Sequence, residues 1–267
     1  MLGRAWRQWL ESHRLDYTAP PSSVLDLNDP ASLKRFDTKA FGCIVNCAAF
    51  TDVDGAEAQS AKAQRINGDA VEALAHNCQR DGNLLVHYST DYVFDGQACQ
   101  PYATDEPVSP VNAYGVSKAF GEMAVRDSGC GFLLIRTSWL YAPWGKNFVY
   151  SIADQVRRRP AIEVVNDQRS RPTSCEPLVR NTFQLMQKGA RGIYHVTDGG
   201  ACTWYDFARK IGKYINPNCG IEPCSTPRSS RRAQRPGYSV LDISGTETLL
   251  GPMRIWPNSL ADVLSRL

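Results

Sequence analysis

The sequence predicts an α/β fold, a doubly wound parallel sheet with a smaller C-terminal lobe. Three observations carry that prediction. Apolar runs of strand length recur at residues 43–49, 84–88 and 132–136. Helical periodicity fills residues 52–77 and the stretch after Asn112. Beyond Phe148 the elements shorten and turn residues become denser. Strands alternating with helices in this order mean parallel strands joined by crossover helices.

Each element has its own signal. Residues 3–13 read as a helix with Trp6, Trp9 and Leu10 on one side. Residues 15–18 are expected to form a short strand, ended by Pro20-Pro21. Val24, Leu25, Asp26 and Leu27 lead to Asn28-Asp29-Pro30, a cap followed by a short helix. Residues 52–77 read as one long helix with Val53, Ala56, Ala63, Ile66, Val71 and Leu74 apolar. Ser109-Pro110 and Asn112 supply a turn or cap before the helix that carries Tyr114. The run at 132–136 continues into Thr137-Ser138-Trp139. A helix through 152–159, a strand at 162–165, a helix at 177–188, a strand at 192–196 and a helix at 203–214 follow. Residues 217–237, rich in Pro, Ser and Arg, read as loop.

Composition narrows the classes. The chain has 267 residues, 43% of them hydrophobic, enough for one large α/β domain or a domain plus a lobe. A formal charge of +3 is too small to imply nucleic acid. No apolar run approaches the roughly 18 residues of a membrane span, so no membrane partner is expected. The first 15 residues lack the apolar core of a signal peptide. Nine cysteines without CxxC pairs or metal-ligand spacing fit a reducing cytoplasm, and Cys43 and Cys47 read as packing.

The chemistry lies in two strings. Ser89-Thr90-Asp91 ends the run at 84–88, so Thr90 sits where ligands of open α/β sheets bind, beyond a strand's carboxyl end. Tyr114 and Lys118 are four residues apart, on one helix face. Reducing a ketone needs a hydride on carbon and a proton on oxygen. A free phenol, with a pKa near ~10, is a poor acid at neutral pH. A nearby ammonium is expected to lower that value. Thr90 would donate a hydrogen bond to the substrate oxygen. A Tyr-x-x-x-Lys spacing alone also occurs on ordinary surface helices; its position after the Thr90 strand is what gives it weight.

With these residues together, the chain resembles the extended short-chain dehydrogenase/reductases and, within them, the dTDP-4-dehydrorhamnose reductase family. The resemblance covers nearly the whole chain. It rests on residues 46–57, 89–96 and 114–118, on Arg136 to Ala142 with Asn147-Phe148, on Asp167-Gln168 and Arg171-Pro172-Thr173, on Tyr194-His195 and Thr203-Trp204-Tyr205, and on Arg232, Arg235-Pro236, Ser239 and Leu241-Asp242. It implies a Rossmann-like fold, with 1–148 a dinucleotide-binding domain and 149–267 mainly a substrate-binding lobe. It implies reduction of the 4-keto group of dTDP-4-dehydro-L-rhamnose, a dTDP-sugar substrate, with NADP or NAD as cofactor. Tyr114 would be the proton donor, Lys118 its partner and a ribose ligand, and Thr90 the tuning hydroxyl. Asp91 would contact the sugar, and Trp139 would face the sugar or nicotinamide. Asp26 and Leu27 would flank the adenine, and Ala49, Phe50 and Thr51 would line the cofactor. Some members of the family pair as homodimers around magnesium; no ligands for it can be mapped here.

The family pattern opens with a strand and a Gly-x-x-Gly-x-x-Gly loop, whereas this sequence opens at Met1-Leu2-Gly3. Gly3 looks like the last glycine of that loop, with the following helix N-terminus beside it. The expectation is either a native start further upstream or a short chain that holds dinucleotide weakly. NADPH titration of this chain beside an upstream-extended one separates the two.

Other residues have two readings each. Arg157-Arg158-Arg159 reads as a solvated helix end. Arg228, Arg231, Arg232 and Arg235 suit either a diphosphate or a basic loop. Trp139 reads as substrate contact over core packing, and Asp91 as a site residue over a turn carboxylate. His195 reads as structural. Asp16 is a candidate for a ribose hydroxyl, which leaves NAD against NADP open. Two other functions stay in view. One is a non-catalytic regulatory subunit on the same fold. The other is a reductase or epimerase of a different nucleotide sugar.

Overall fold

The computed structural model describes residues 1–226 and 232–267. Helix α1 (Leu2–Ser12) buries Leu2, Ala5 and Trp6. Residues 15–18 do not form the expected strand. Leu15 is exposed and Tyr17 turns back to the Glu11 carboxylate at 2.5 Å, so the run has no partner to complete a ladder. Helix α2 (Pro30–Arg35) starts as its sequence dictates: the Asp29 carboxylate accepts from the Ala31 N–H, and proline takes the first helical position. Strand β1 (Cys43–Asn46) follows.

The single helix expected over 52–77 is broken. Helix α3 (Val53–Ala58) stops at Gln59, which has φ −129° and ψ 42°. Helix α4 (Ser60–Gln64) then runs into a π-helical turn, Arg65–Asp69, before α5 (Ala70–Asp81). The turn has a tertiary cause: it points the Asn67 side chain at the loop after β1. Asn67 Oδ1 accepts from the Phe50 N–H at 2.8 Å, and Nδ2 donates to the Phe50 carbonyl and the Ser117 hydroxyl, both at 2.9 Å. Single π-helical turns of this kind cluster at functional sites.

The central elements are β2 (Leu84–Thr90), α6 (Ala113–Asp127), β3 (Gly131–Thr137) and the short β4 (Leu140–Tyr141). The Asn112 side chain caps α6 by accepting from the Gly115 N–H at 2.8 Å. Helix α7 (Phe148–Arg158) and β5 (Ala161–Val165) come next, then β6 (Arg169–Ser170), β7 (Thr173–Ser174) and α8 (Cys175–Gln187). Strand β8 (Gly192–His195), β9 (Cys202–Thr203) and α9 (Trp204–Ile215) follow, α9 opening on a Thr203–Asp206 capping box. Strand β10 (Gly220–Cys224) lies inside the stretch expected to be loop. It pairs in parallel with β5, with Pro223 opposite Val164. Each belongs to a two-stranded sheet and so has an open edge, where proline is tolerated. Helices α10 (Ser244–Leu250) and α11 (Trp256–Leu264) end the chain.

The main sheet has the order β1-β2-β3-β8 and is parallel throughout. Its apolar faces are Val86, Leu133 and Ile135 under α1 and α8, and Leu85 under α5 and α6. A second core gathers Phe207, Ile211, Val156, Val164 and Leu260 from α9, α7, β5 and α11. Residues after 148 thus supply β8 and α8 to the first layer as well as most of the second core, to which Tyr141 also belongs. Among the described residues no helix is long and apolar enough to cross a membrane.

Candidate active site

A cleft of about 430 Å³ opens beyond the carboxyl ends of β1, β2 and β3. It brings together Thr90, Asp91, Tyr114, Lys118 and Trp139, along with Ala49 and Thr51. Helix α6 lies close against its neighbours because two glycines let it. A Cβ on Gly115 would overlap the Tyr92 carbonyl, and one on Gly121 the Asn67 carbonyl. Tyr114 sits edge-on to Tyr92, ring centroids 6.1 Å apart. The Thr90 hydroxyl accepts from the Tyr92 N–H and donates to Asp91 Oδ1, both at 3.1 Å.

The electrostatics differ from the simple expectation. Burial pushes the Tyr114 phenol up to about 12; hydrogen bonding to Thr90 opposes this and the Asp91 charge adds to it. The expected pull of Lys118 is not among the forces that set it. Burial instead brings Lys118 down to about 8, against the charge of Glu122. The Lys118 Nζ donates to the Tyr88 carbonyl at 2.6 Å and lies 3.3 Å from His87 Nε2. In this state the phenol is fully protonated at neutral pH, the form a proton donor requires.

Asp91 is 2% exposed. Its Oδ2 accepts from the Ser239 hydroxyl at 2.5 Å and from Ser170 at 3.1 Å. Burial outweighs these bonds and lifts its carboxyl to about 6. Trp139 adopts φ 47°, a left-handed conformation costly for a bulky residue. Its ring stacks on Trp204 at 3.5 Å and 10°, and Trp204 Nε1 donates to Gln168 Oε1 at 3.2 Å.

The remaining expected residues divide. Met1 and Leu2, at the start of α1, line the cleft, and Gly3 lies next to them with Cys47 close to its α-carbon. Phe50 lies in the loop that Asn67 grips. Asp26 and Leu27 are not brought to the cleft wall. The Asp26 N–H donates to Ser32 Oγ, and Leu27 packs with Leu25 on Leu33, Ala70 and Leu74. Arg228 and Arg231 lie outside the described residues. Arg232 is exposed, and Arg235 is bound to Asp54 at 2.6 Å. His195 is buried, with Nδ1 against the Asp242 carbonyl and Nε2 against Arg136.

Several residues that the structure brings to the site were given no individual role in the sequence reading. The buried hydroxyls of Ser89 and Thr137 line the cleft with no hydrogen-bond partner among the described residues. Such orphans fit the polar groups of a bound nicotinamide nucleotide. Asn46, His87, Asn67 and Trp204 also belong here; polar Asn46 at the end of β1 and His87 within the apolar β2 were the available signals, and Asn67 in the π turn had none. Among the described residues no cluster of three His, Cys, Asp or Glu side chains could hold a metal, so none of them is assigned to magnesium.

The fold and cleft define a doubly wound α/β protein with a Tyr–Lys helix over the carboxyl edge of its sheet. Over residues 1–267 the chain matches the family described as RmlD substrate binding domain, and it belongs to that family. It is 37% identical over 269 residues to a probable dTDP-4,6-dihydroxy-2-methyloxan-3-one 4-ketoreductase of Streptomyces antibioticus, covering 98% of this chain and 90% of that protein. A dTDP-4-dehydrorhamnose reductase of Burkholderia thailandensis is 41% identical over 235 residues, 81% of this chain and 78% of its own. The crystal structure of a dTDP-4-dehydrorhamnose reductase from Bacillus anthracis in complex with NADP superposes with a TM-score of 0.94 at 32% identity, covering 100% of this chain and 95% of that one.

Proposed function

We propose that this chain is an oxidoreductase that reduces the 4-keto group of dTDP-4-dehydro-L-rhamnose to give dTDP-L-rhamnose, using NADP(H). The observation that carries this reading is the meeting of Thr90, Tyr114 and Lys118 in one cleft of a chain with these relatives. The orphaned Ser89 and Thr137 hydroxyls support a bound nicotinamide nucleotide there. When bound, that cofactor supplies the hydride to the carbonyl carbon.

The protein's own residues do the rest. Tyr114 gives its proton to the carbonyl oxygen as charge develops on it, and Thr90 donates a hydrogen bond to the same oxygen. Lys118 holds ribose hydroxyls. Ala49, Phe50 and Thr51 form the wall under the cofactor, and the first turn of α1 at Gly3 faces the phosphates. Trp139, braced by Trp204, covers the sugar. Asp91 orients Thr90 and reaches the sugar. Residues 1–148 mainly hold the dinucleotide and 149–267 mainly the sugar nucleotide. The setting is the cytoplasm, which the cysteine spacing supports.

Relatives from Streptomyces named as ketoreductases of other dTDP-4-keto sugars support a second reading, a different 4-keto-6-deoxy sugar on the same nucleotide. Both are tested by following NADPH oxidation with each keto sugar, in wild type and Tyr114→Phe. Turnover of one sugar that falls by about 10²–10⁴-fold in Tyr114→Phe is expected. No turnover of either sugar overturns the reading, and full activity in Tyr114→Phe removes the proton donor.

A further inference from the structure

Trp139 stands at a corner, where the chain leaves β3 of the main sheet and enters β4, which pairs with β7. The backbone around the corner is pinned. The Ser138 hydroxyl donates to the Arg171 carbonyl at 2.7 Å, and the Thr173 N–H donates to the Trp139 carbonyl at 3.2 Å. Among the described residues, Trp139 and Arg14 are the two non-glycine positions with positive φ. A bulky residue keeps such a conformation only where its surroundings fix it. For the Trp139 ring that support is Trp204, which stacks on it and is itself packed by Phe148, centroids 4.3 Å apart at 43°. Both indoles line the cleft.

Trp204 is held by a chain of hydrogen bonds with a single direction. An indole N–H can only donate, so the Gln168 atom that Trp204 Nε1 meets at 3.2 Å must be the amide oxygen. The Gln168 NH₂ therefore faces Thr226, whose Oγ1 accepts at 2.8 Å. The Thr226 hydroxyl has one proton and gives it to Asp167 Oδ1 at 2.5 Å, while the Thr226 N–H donates to Oδ2 at 2.7 Å. The chain thus ends on a carboxylate, the strongest acceptor available to it. Gln168 is 4% exposed, so water does not compete for its amide. We propose that Gln168 is a positioning residue of the substrate site: acting through Trp204, it fixes the plane in which Trp139 meets the sugar ring of a nucleotide sugar. A flat indole suits the C–H face of such a ring. The proposal rests on the reductase reading, which sets the sugar against Trp139.

The other contacts of Trp204 do not set its edge. Phe148 and Phe207 meet it through their rings, which leaves an indole free to turn over. The neighbouring Thr203 hydroxyl is spent on Asn166 and Asp206. The bond to Gln168 is directional and decides which edge of Trp204 faces inward. On the reductase reading Trp139 meets the sugar in the ground state and the transition state alike. Misplacing it removes uniform binding, so KM rises while kcat holds. Loss of the Tyr114 proton acts on kcat instead, and the two effects are separable.

Two indoles stacked at 3.5 Å couple their transitions, and the exciton couplet in circular dichroism reads their geometry without substrate. The expected result is a couplet in wild type that collapses in Gln168→Leu. KM for the keto sugar should rise about three- to tenfold, the equivalent of one ordinary hydrogen bond, with kcat and NADPH affinity nearly unchanged. Trp204→Phe keeps a ring but no N–H, so Gln168→Leu should raise KM no further in that background. A glutamine that only supports its loop would add the same increment in both. An unchanged couplet, a fall in kcat in place of the rise in KM, or equal increments overturns the proposal. Should Gln168→Leu fail to fold, hydrogen exchange of the wild type decides. The chain has six tryptophans, and the indole N–H lost in Trp204→Phe is expected to exchange slowly; exchange as fast as free indole overturns the brace. A couplet that collapses in Gln168→Leu, in a protein that reduces no keto sugar, keeps the brace and sinks the reductase reading instead.

Discussion

Gly121→Ala sets two physical effects of opposite sign against each other. In the interior of a helix, alanine is favoured over glycine by about 1 kcal/mol. At this position, however, a Cβ would overlap the Asn67 carbonyl, a backbone atom that cannot rotate aside. Overpacking costs about 1–3 kcal/mol, and a rigid obstacle places the cost near the upper end. The net expectation is a loss of about 2 kcal/mol, or roughly 4–8 °C in Tm for a chain of this size. The strain has one easy outlet, displacement of the π turn, which would loosen the Asn67 bonds to Phe50 and Ser117. NADPH binding should therefore weaken along with Tm, since the Phe50 loop belongs to the proposed cofactor wall. Circular-dichroism melting and a fluorescence titration with NADPH read both effects. A variant as stable as wild type, or more so, would show that propensity governs here and that the close approach of α6 to the π turn is not a constraint.

Three further outcomes follow from the buried polar groups. Glu122→Gln leaves the Arg136 guanidinium buried with its charge uncompensated, at an expected cost of about 3–5 kcal/mol in chemical denaturation; the double change Glu122→Leu with Arg136→Met should recover most of that loss. Burial raises the Asp198 carboxyl to about 7, so the stability it contributes is fully present below about pH 4 and is lost as pH rises through 7; Asp198→Asn should flatten the stability profile over that window, and an unchanged slope would refute the assignment. Ser239→Ala removes a donor that holds the Asp91 carboxyl down, so the Asp91 value should climb above 6 and the acid limb of kcat/KM should move toward neutrality, with Tm nearly unchanged.

How much of this was legible in the sequence depends on whether a residue's role is local. Thr90, Tyr114 and Lys118 could be read because a strand end and one helix turn place them, and both are encoded by short-range pattern. The break in the helix over 52–77 could not, since Asn67 leaves the α-helical path to satisfy the Phe50 backbone, seventeen residues away. Residues 15–18 looked like a strand from their composition alone, but a strand also needs a neighbour. Gly220–Cys224 is the converse case: Gly and Pro suggest loop, while β5 supplies the ladder that makes it a strand. Asp26 and Leu27 came from family pattern rather than from local chemistry, and in the structure they pack on α2 and α5 instead of on the cleft wall. Lys118 is likewise not among the forces that set the Tyr114 value. Helical spacing predicts nearness, whereas burial and the Tyr88 carbonyl decide where the nitrogen points.

The two halves of the proposed proton-transfer site are therefore held by different parts of the chain. Tyr114 and Lys118 depend on α6, fixed by Gly121 to the π turn, by Gly115 to the Tyr92 carbonyl and by Lys118 to β2. Thr90 depends on Asp91, and Asp91 is held by Ser170 of β6 and by Ser239 near the C-terminus. The Ser170 hydroxyl also lies 3.1 Å from the Ser239 carbonyl, so β6 and the C-terminal segment meet at this carboxylate. A buried carboxylate held by three hydroxyls contributes little to net stability, because desolvation opposes its hydrogen bonds. What it provides is a rigid joint. Any displacement of the second lobe that moves Ser170 or Ser239 must move Asp91, and with it the hydroxyl of Thr90 relative to the phenol of Tyr114. On the proposed reductase reading, these bonds tie β6 and the C-terminal segment to the alignment of the proposed proton-transfer groups.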